Sequence, residues 1–141
     1  MTALTVTVPG KPVTQGSMKT INRRTFHDNE RDLLPWRDGI AWHVRQEMAA
    51  QGMNEPLEGP LTLVATFTLA RPPSIPKSRW APDKKPDLDK LCRALGDAIG
   101  QSGAVRQDAQ FVTIVASKVY GPLPGVTFTI SPAERGEQVA A

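Results

Sequence analysis

The sequence predicts a single domain of the α+β class, in which about two helices cover one face of a mixed β-sheet. Short stretches of alternating apolar and polar residues are typical of strands, and two longer stretches carry apolar residues at helical spacing. The order along the chain is roughly β-loop-α-β-loop-α-β-β, without an internal repeat. With 141 residues, the chain is long enough to bury one hydrophobic core.

Two helices are predicted from apolar residues that recur about every four positions. The first begins near Asp28 or Asn29, which suit an N-cap, and runs to about Ala50. Its apolar stripe consists of Trp36, Ile40, Val44 and Met48. The second begins near Asp87 and ends at the two glycines within residues 100–103. One face of this second helix carries Leu88, Leu91, Cys92, Leu95 and Ile99.

Four strands are predicted from alternation and from β-branched content. Residues 4–8 and 61–69 alternate apolar and polar side chains, as half-buried strands do. Residues 111–119 are apolar and β-branched on both faces, which predicts a central strand. Residues 126–130 favour an edge strand, and residues 11–29 a loop or irregular hairpin.

Composition excludes several classes of protein. The one cysteine, Cys92, excludes an intrachain disulfide, which suits a reducing cytosol. No run of about 18 apolar residues is present, and residues 1–4 lack the basic and apolar regions of a signal peptide. We therefore expect a cytoplasmic protein. Its ordered core should extend from about residue 4 to 130, and residues 132–141 should form a flexible tail.

Positive charge is concentrated in two parts of the chain, although the net charge is only +3. One group lies within residues 11–24 and the other within residues 71–93. The second group includes residues 71–86, which contain five prolines and no periodicity. A connection of that length inside a compact domain is usually functional or disordered. A single lysine is ordinarily solvated surface, whereas two clusters around a set of carboxylates indicate a nucleic-acid partner.

Acidic residues stand beside basic ones around the second predicted helix. Asp89, Arg93 and Asp97 are spaced i, i+4 and i+8, and so form one polar stripe. Asp87 sits at the start of the helix, and Asp108 directly precedes the next strand. Neighbouring carboxylates that stay ionised need a partner, usually a hard divalent cation such as Mg²⁺. A basic protein that holds such a cation suits the phosphodiester backbone of nucleic acid.

The same residues also admit an ordinary interpretation. Asp87 would then cap the helix, and Asp89 and Arg93 would form a surface pair that contributes about 0.3–0.5 kcal/mol. An Asp-x-Asp motif alone is common. Its combination with a second acid before a strand, inside a basic frame, is more specific, and the residues alone leave both interpretations open.

Several motifs of the chain occur together in one family. They are Val8-Pro9-Gly10-Lys11-Pro12 with Gln15-Gly16-Ser17, the strand 61–69 followed by Arg71-Pro72, Lys85-Pro86-Asp87-Leu88-Asp89-Lys90-Leu91 with Asp97-Ala98, and Asp108-Ala109-Gln110-Phe111-Val112 with Lys118-Val119-Tyr120. In these motifs the chain resembles the RusA family of endodeoxyribonucleases, the Holliday-junction resolvases common in phages and prophages. The resemblance extends from about residue 4 to 130, and the Asp-x-Asp motif with the distant Asp-x-Gln motif is its most specific part.

The resemblance implies a homodimer that resolves Holliday junctions in DNA by paired symmetric nicks, in recombination and repair. It implies dependence on Mg²⁺, with Mn²⁺ as a substitute. Asp87 and Asp89 fall on the paired catalytic aspartates and Asp108 on the third, so these three are the predicted metal ligands. Arg93 takes the place of the family's essential lysine as a further catalytic residue, and Asp97 is a candidate accessory acid.

The chain departs from the family pattern at three positions. Arg93 keeps the charge of the lysine but neither its point-like ammonium nor its capacity to lose a proton. Lys90 stands where the family often has asparagine. Gln107 and Asp108 stand where it often has a pair of acids, which leaves one fewer candidate ligand.

The predicted DNA contacts are basic residues on either side of the acids. They are Lys11, Lys19, Arg23, Arg24, Lys77, Arg79, Lys84, Lys85 and Lys90. Such side chains position the phosphate backbone without reading sequence. Trp80, in the basic loop, either pins that loop or stacks on an unpaired base.

Three other functions remain open at the level of sequence. In the first, the chain is a nuclease that acts on flaps, replication forks or other branched DNA. In the second, it is a junction-binding protein without catalysis. In the third, it is a small α+β domain with a capped helix. If the protein is phage-encoded, its place of action is the cytoplasm of the bacterial host.

Overall fold

A four-stranded mixed sheet forms one layer of the molecule. The computed structural model describes residues 3–16, 18–21, 24–27 and 30–135, with backbone alone for 18–21, 24–27 and 30. The sheet consists of β1 (Leu4–Pro9), β4 (Leu61–Leu69), β5 (Phe111–Tyr120) and β6 (Gly125–Pro132), in the order β1-β6-β4-β5. Neighbouring strands pair antiparallel except for β4 and β5, which are parallel. A separate hairpin pairs β2 (Met18–Ile21) with β3 (Arg24–His27).

Two helices form the other layer. Helix α1 (Glu30–Ala50) packs against β1, and α2 (Leu88–Ser102) packs against α1 and β5. The apolar stripe predicted for α1 is buried at Ile40 and Val44. Helix α2 ends at Gly103, whose φ of 86° is the left-handed conformation that glycine adopts at helix ends. The predicted α+β class, with two helices on a mixed sheet, is therefore confirmed.

The core lies between the helices and one face of the sheet. Strand β4 alternates as predicted, with Leu61, Leu63, Ala65, Phe67 and Leu69 buried. The facing side chains of β1 and β6 join the same cluster, as do the apolar residues of α2. The segment that leads into α2 is tied to β5, since Lys118 of that strand donates to the carbonyls of Lys84 and Pro86.

The two last strands lie in places opposite to those predicted. The prediction of β5 as a central strand is wrong, since β5 forms one edge of the sheet, and β6, predicted at an edge, is central. The apolar residues of β5 remain solvent-exposed, with Val112 at 62%, Ile114 at 53% and Val115 at 54%. An apolar edge strand of this length is a surface that proteins normally cover.

The end of the described chain is tied to the sheet. Strand β6 continues through Pro132, and the Ala133 N–H donates to the Pro60 carbonyl at 2.9 Å. Residues 136–141 of the predicted tail lie outside the described residues. Within the described part of the chain, no helix has both the length and the apolar character needed to cross a membrane.

Candidate active site

Helix α2 begins at Asp87, but the Asp87 side chain does not cap it. The Asp87 backbone is extended, and its carbonyl accepts the Leu91 N–H at 3.1 Å. Its carboxylate makes no hydrogen bond to the helix end and lies 3.6 Å from the Lys90 ammonium. The capping role that the ordinary interpretation gave to this carboxylate is therefore absent, although an N-cap aspartate normally provides one.

A groove beside α2 collects most of the predicted catalytic side chains. Asp89, Arg93 and Asp97 line it from successive turns of α2, and Asp108 lines it from the start of β5. We call this groove, together with Gln15 at its wall, the acidic groove. Its apolar lining comes from Leu88, Cys92, Phe111, Ile114 and Ala116. The i, i+4 and i+8 spacing thus places the three α2 residues on one side, as predicted.

Asp108 is positioned by its neighbour Gln110. The two residues belong to a single 3₁₀ turn, Asp108–Gln110. The Gln110 carboxamide oxygen accepts the N–H groups of Arg106 at 2.7 Å and Gln107 at 3.0 Å. Its Nε2 donates to the carbonyls of Leu57 and Gly59, each at 3.0 Å. Gln110 therefore fastens the turn to a distant loop, a role that the Asp-x-Gln motif did not predict from sequence.

Asp108 also approaches the backbone of α2. A Cβ at Gly100 would lie 3.4 Å from Asp108 Oδ1, so the carboxylate sits against the last turns of the helix. Gly100 was predicted to mark the helix end and instead lies inside α2, two residues before its last residue. A side chain at position 100 would contact the Asp108 carboxylate. Close packing therefore explains why a glycine suits this position.

The charged side chains of the acidic groove are not paired with one another. Among the described residues, Asp89, Arg93, Asp97 and Asp108 form no ion pair or side-chain hydrogen bond. The surface pair between Asp89 and Arg93 is therefore not formed. Burial and the nearby Asp89 carboxylate raise the pKa of the Cys92 thiol. The groove thus presents carboxylate oxygens that have no partner in the part of the chain that the structure describes.

A second groove lies on the other side of the first turn of α2. Lys11, Lys85 and Lys90 line it, together with Asp32 and Asp87, and we call it the basic groove. Asp87 therefore faces a different groove from Asp89. The physical reason is that Asp87 precedes the helix with an extended backbone, whereas Asp89 lies within the first helical turn. Asp87 as a ligand alongside Asp89 stays a prediction.

The proline-rich connection 70–86 is anchored at both ends by cations. Arg71 donates to the carbonyls of Pro76 at 3.0 Å and Arg79 at 2.7 Å, and its guanidinium lies 4.5 Å from the Tyr120 ring centre. Lys118 donates to the carbonyls of Lys84 at 2.6 Å and Pro86 at 2.9 Å. No role was predicted for Lys118, but the hydrogen bonds of its ammonium hold the segment that leads into Asp87.

Trp80 projects from this anchored connection. Its side chain is 83% exposed and lies beside Arg79. Because its side chain is so exposed, Trp80 does not pin the connection, and its stacking on an unpaired base stays a prediction. Lys77 and Lys84 are exposed on the same connection. Lys19 lies on β2 and Arg24 begins β3, whereas Arg23 lies outside the described residues.

The donor set of the acidic groove suits a hard divalent cation. Within the described residues, no group of three or more His, Cys, Asp or Glu is arranged to hold a metal ion by itself. Two carboxylates, Asp89 and Asp108, line the groove nonetheless, and the buried Gln15 Oε1 there has no hydrogen-bond partner. Mg²⁺ is commonly bound through one or two carboxylates, with water and substrate phosphate completing its shell. The oxygen donors are of the kind that such an ion takes, but Asp89 lies in the first turn of α2 and Asp108 lies against Gly100, about 16 Å further along the helix, so within one chain these two carboxylates cannot share an ion.

Comparison with known proteins identifies the family of the chain. A family model described as Endodeoxyribonuclease RusA matches residues 9–131 of the 141-residue chain. The match begins at the last residue of β1 and includes every residue that lines the two grooves. The family resemblance predicted from the motifs is confirmed. No curated protein matches the chain.

Proposed function

We propose that this chain, which belongs to the RusA family of endodeoxyribonucleases that resolve Holliday junctions, is a Mg²⁺-dependent nuclease that nicks four-way DNA junctions at the acidic groove. Unpaired carboxylates beside a lysine-lined groove carry this proposal, because the two together match a metal-assisted attack on a phosphodiester. Cleavage of other branched DNA would use the same reaction at the same groove. Family membership makes the junction the first substrate to test.

Asp89 and Asp108 would each take part in holding a cation, from opposite ends of α2: Asp89 lies in the first turn and Asp108 against Gly100. Both carboxylates open on the acidic groove, and neither is paired to a described residue. Asp97 lies on the same stripe and would orient water in the groove, while Asp87 would approach from the basic side of the helix start. A bound Mg²⁺ would supply Lewis acidity toward the scissile phosphate and a water of lowered pKa.

Arg93 would neutralise the charge that develops on the phosphoryl oxygens. It is exposed at the acidic groove and makes no ion pair there, so its five N–H donors are available to a phosphate. An arginine at this place, unlike the lysine of the family pattern, does not serve as a proton donor. The leaving oxygen would therefore take its proton from solvent.

The basic groove and the anchored connection would hold the arms of the junction. Lys11, Lys85 and Lys90 lie one helix face away from the acids, where they would contact phosphates on either side of the cut. Trp80 would stack on a base exposed near the branch point, since an exposed indole beside Arg79 suits an unstacked base.

A homodimer would supply two such sites, as two symmetric nicks require. The apolar edge strand β5 supports this, because Val112, Ile114 and Val115 stay exposed in the single chain. A second copy would cover them by pairing along the edge. The protein would act in the cytoplasm, where this DNA would be found. Its one unpaired cysteine suits that reducing compartment.

The decisive experiment is cleavage of a labelled synthetic four-way junction with Mg²⁺ or with EDTA. Wild-type protein should make paired symmetric nicks with Mg²⁺ and none with EDTA. Asp89→Asn should bind the junction with unchanged affinity and cut it at least about 10²-fold more slowly. The matched control, Glu55→Gln, removes an exposed carboxylate outside both grooves and should cut normally. Junction binding without any cut in Mg²⁺ or Mn²⁺ would instead identify a non-catalytic binding protein, and a panel with flaps and forks ranks the substrates.

The dimer is tested by molar mass in solution. Val115→Lys places a charge on the apolar edge strand and should shift the protein from dimer to monomer in light scattering. Leu123→Lys, which changes an equally apolar but loop-borne exposed residue, should leave the dimer intact. A monomeric wild-type protein at micromolar concentration would contradict the proposal.

A further inference from the structure

Lys118 on β5 is a half-buried lysine whose ammonium bonds to the backbone of another segment. Its Nζ donates to the Lys84 carbonyl at 2.6 Å and to the Pro86 carbonyl at 2.9 Å. A lysine normally keeps its strongly hydrated ammonium in water. Hydrogen bonds from a charged donor are stronger than those between neutral groups. Two of them on one ammonium therefore fix the backbone of residues 84–86 to the sheet.

The bonded segment is the near end of the proline-rich connection. The backbone hydrogen bonds described within residues 71–86 join residues two or three apart, as in turns. Arg71, through its contact with Tyr120 and its two carbonyl partners, holds the far end. At the near end, the described hydrogen bonds to the sheet are those of Lys118. Lys118 therefore sets, by hydrogen bonding, the place at which the chain enters α2.

The Pro86 carbonyl lies in the same peptide plane as the N–H and Cα of Asp87. A bond that fixes this carbonyl therefore fixes the direction in which the Asp87 backbone begins. The Asp87 side chain makes no capping bond, and its described contact is the ion pair with Lys90 at 3.6 Å. Such an exposed pair holds a side chain only weakly. The Asp87 carboxylate is therefore placed mainly by its backbone, and so by Lys118.

Lys118 is also continuous with the acidic groove. Side chains two apart on a strand point to the same face, so Lys118 shares a face of β5 with Ile114 and Ala116. Both of these residues line the acidic groove. One face of one strand thus lines that groove and holds the backbone that leads into Asp87.

We propose that Lys118 is a positioning residue for junction cleavage, which places the Asp87 carboxylate relative to the acids of α2 through its bond to the Pro86 carbonyl. This inference rests on the nuclease function proposed above. It adds a residue that belongs neither to the predicted catalytic set nor to the predicted DNA contacts. In this role the ammonium acts on the backbone and needs no contact with DNA or cation.

The test is single-turnover cleavage of the four-way junction, together with junction affinity. Lys118→Met removes the ammonium and keeps an unbranched side chain. It should cut about 10- to 100-fold more slowly, because a small misplacement of a reacting group is costly, and should bind with an affinity close to that of the wild type. The control Arg45→Gln removes a cation that also donates to one carbonyl, that of Gln101 at 2.9 Å, and should cut and bind normally. A loss confined to affinity would overturn the proposal and identify Lys118 as a DNA contact.

A double variant separates positioning from simple stabilisation. If Lys118 acts through Asp87, then Lys118→Met combined with Asp87→Asn should cut no more slowly than Asp87→Asn alone. A rate reduced by the product of the two single effects would overturn the proposal. So would a wild-type rate in either folded single variant.

A measurement on the unaltered protein covers the case in which Lys118→Met fails to fold. A nitrogen–proton NMR spectrum of the lysine ammonium groups should show Lys118 as slowly exchanging, whereas the exposed Lys77 and Lys84 exchange too fast to be seen. An absent Lys118 signal would overturn the positioning role, since that role needs its bonds to persist in solution. A wild-type protein that shows this signal but cuts no junction in Mg²⁺ would overturn the nuclease function instead, so the two failures are distinguishable.

Discussion

The two grooves at the start of α2 differ in how the protein treats charge. In the acidic groove, Asp89 and Asp108 have no partner among the described residues. In the basic groove, Lys90 and Asp87 already face each other at 3.6 Å, and the lysines outnumber the acids. The start of α2 therefore lies between two surfaces with different functions. One side keeps oxygens available for a cation, and the other offers a positive surface to a polyanion.

The largest expected effect comes from replacing one aspartate of each groove with asparagine. Asp108→Asn, in the acidic groove, should slow junction cleavage at least about 10²-fold and leave junction affinity unchanged. Asp32→Asn, in the basic groove, should cut at the wild-type rate and bind DNA slightly more tightly, since it removes a repulsive charge. Single-turnover cleavage and electrophoretic binding assays measure both. Equal losses of rate in the two variants would remove the distinction between the grooves.

The next effect concerns how the acidic groove is assembled. Gln110→Ala removes the side chain that bonds four backbone groups around Asp108. At about 1 kcal/mol for each net hydrogen bond, the free energy of unfolding should fall by roughly 2–4 kcal/mol. Urea denaturation measures it. Gln51→Ala, which removes one exposed side-chain bond to Glu47, is the matched control and should change stability by less than about 0.5 kcal/mol.

A smaller effect should sharpen the role of the basic groove. Lys11→Gln combined with Lys85→Gln should weaken junction binding about 10-fold at moderate salt. The slope of log affinity against log salt should fall by about 1 to 2, because up to two phosphate contacts are lost. Cleavage at saturating DNA should keep its wild-type rate. Arg45→Gln, on the exposed part of α1, is the control for loss of a positive charge outside both grooves. An unchanged salt slope in the double variant would exclude phosphate contacts by the basic groove.

The smallest effect uses Cys92 as a reporter of charge in the acidic groove. Its pKa is raised by burial and by the Asp89 carboxylate, so its thiolate is scarce at neutral pH. Either Asp89→Asn or a cation bound at Asp89 should lower that pKa, and alkylation by iodoacetamide at pH 8 should become a few-fold faster. Alkylation against pH, with and without Mg²⁺, measures the shift. Identical profiles would show that the cation binds away from Asp89.

Sequence predicted those parts of the fold that local pattern determines. The alternation of β4 and the stripe of α1 come from neighbours along the chain, and both were predicted at their observed places. Strand β5 was misassigned because its apolar residues resemble those of a central strand, although in the single chain they lie at the sheet edge. Strand order depends on contacts between residues far apart in sequence, which composition does not report.

The site was predictable to a similar extent. The stripe of Asp89, Arg93 and Asp97 follows from helical spacing alone, and the structure joins it to Asp108. The contacts of Gln15 and Gln110 were not predictable, since each is made with a partner far along the chain, the Lys90 carbonyl for Gln15 and the Leu57 carbonyl for Gln110. A glutamine in a motif gives no local sign of which carbonyl it will reach.

The parallel pairing of β4 with β5 has a consequence for how such a chain changes over evolutionary time. All residues from the proline-rich connection to Asp108 lie on the one crossover between these two strands. The strands hold the ends of that crossover about 4.8 Å apart laterally, whatever its length. Each doubling of a flexible loop costs only about 0.6 kcal/mol, so insertions into residues 70–86 would scarcely disturb the sheet. New DNA preferences can therefore be acquired by lengthening or exchanging one segment, while the acids on α2 keep their positions.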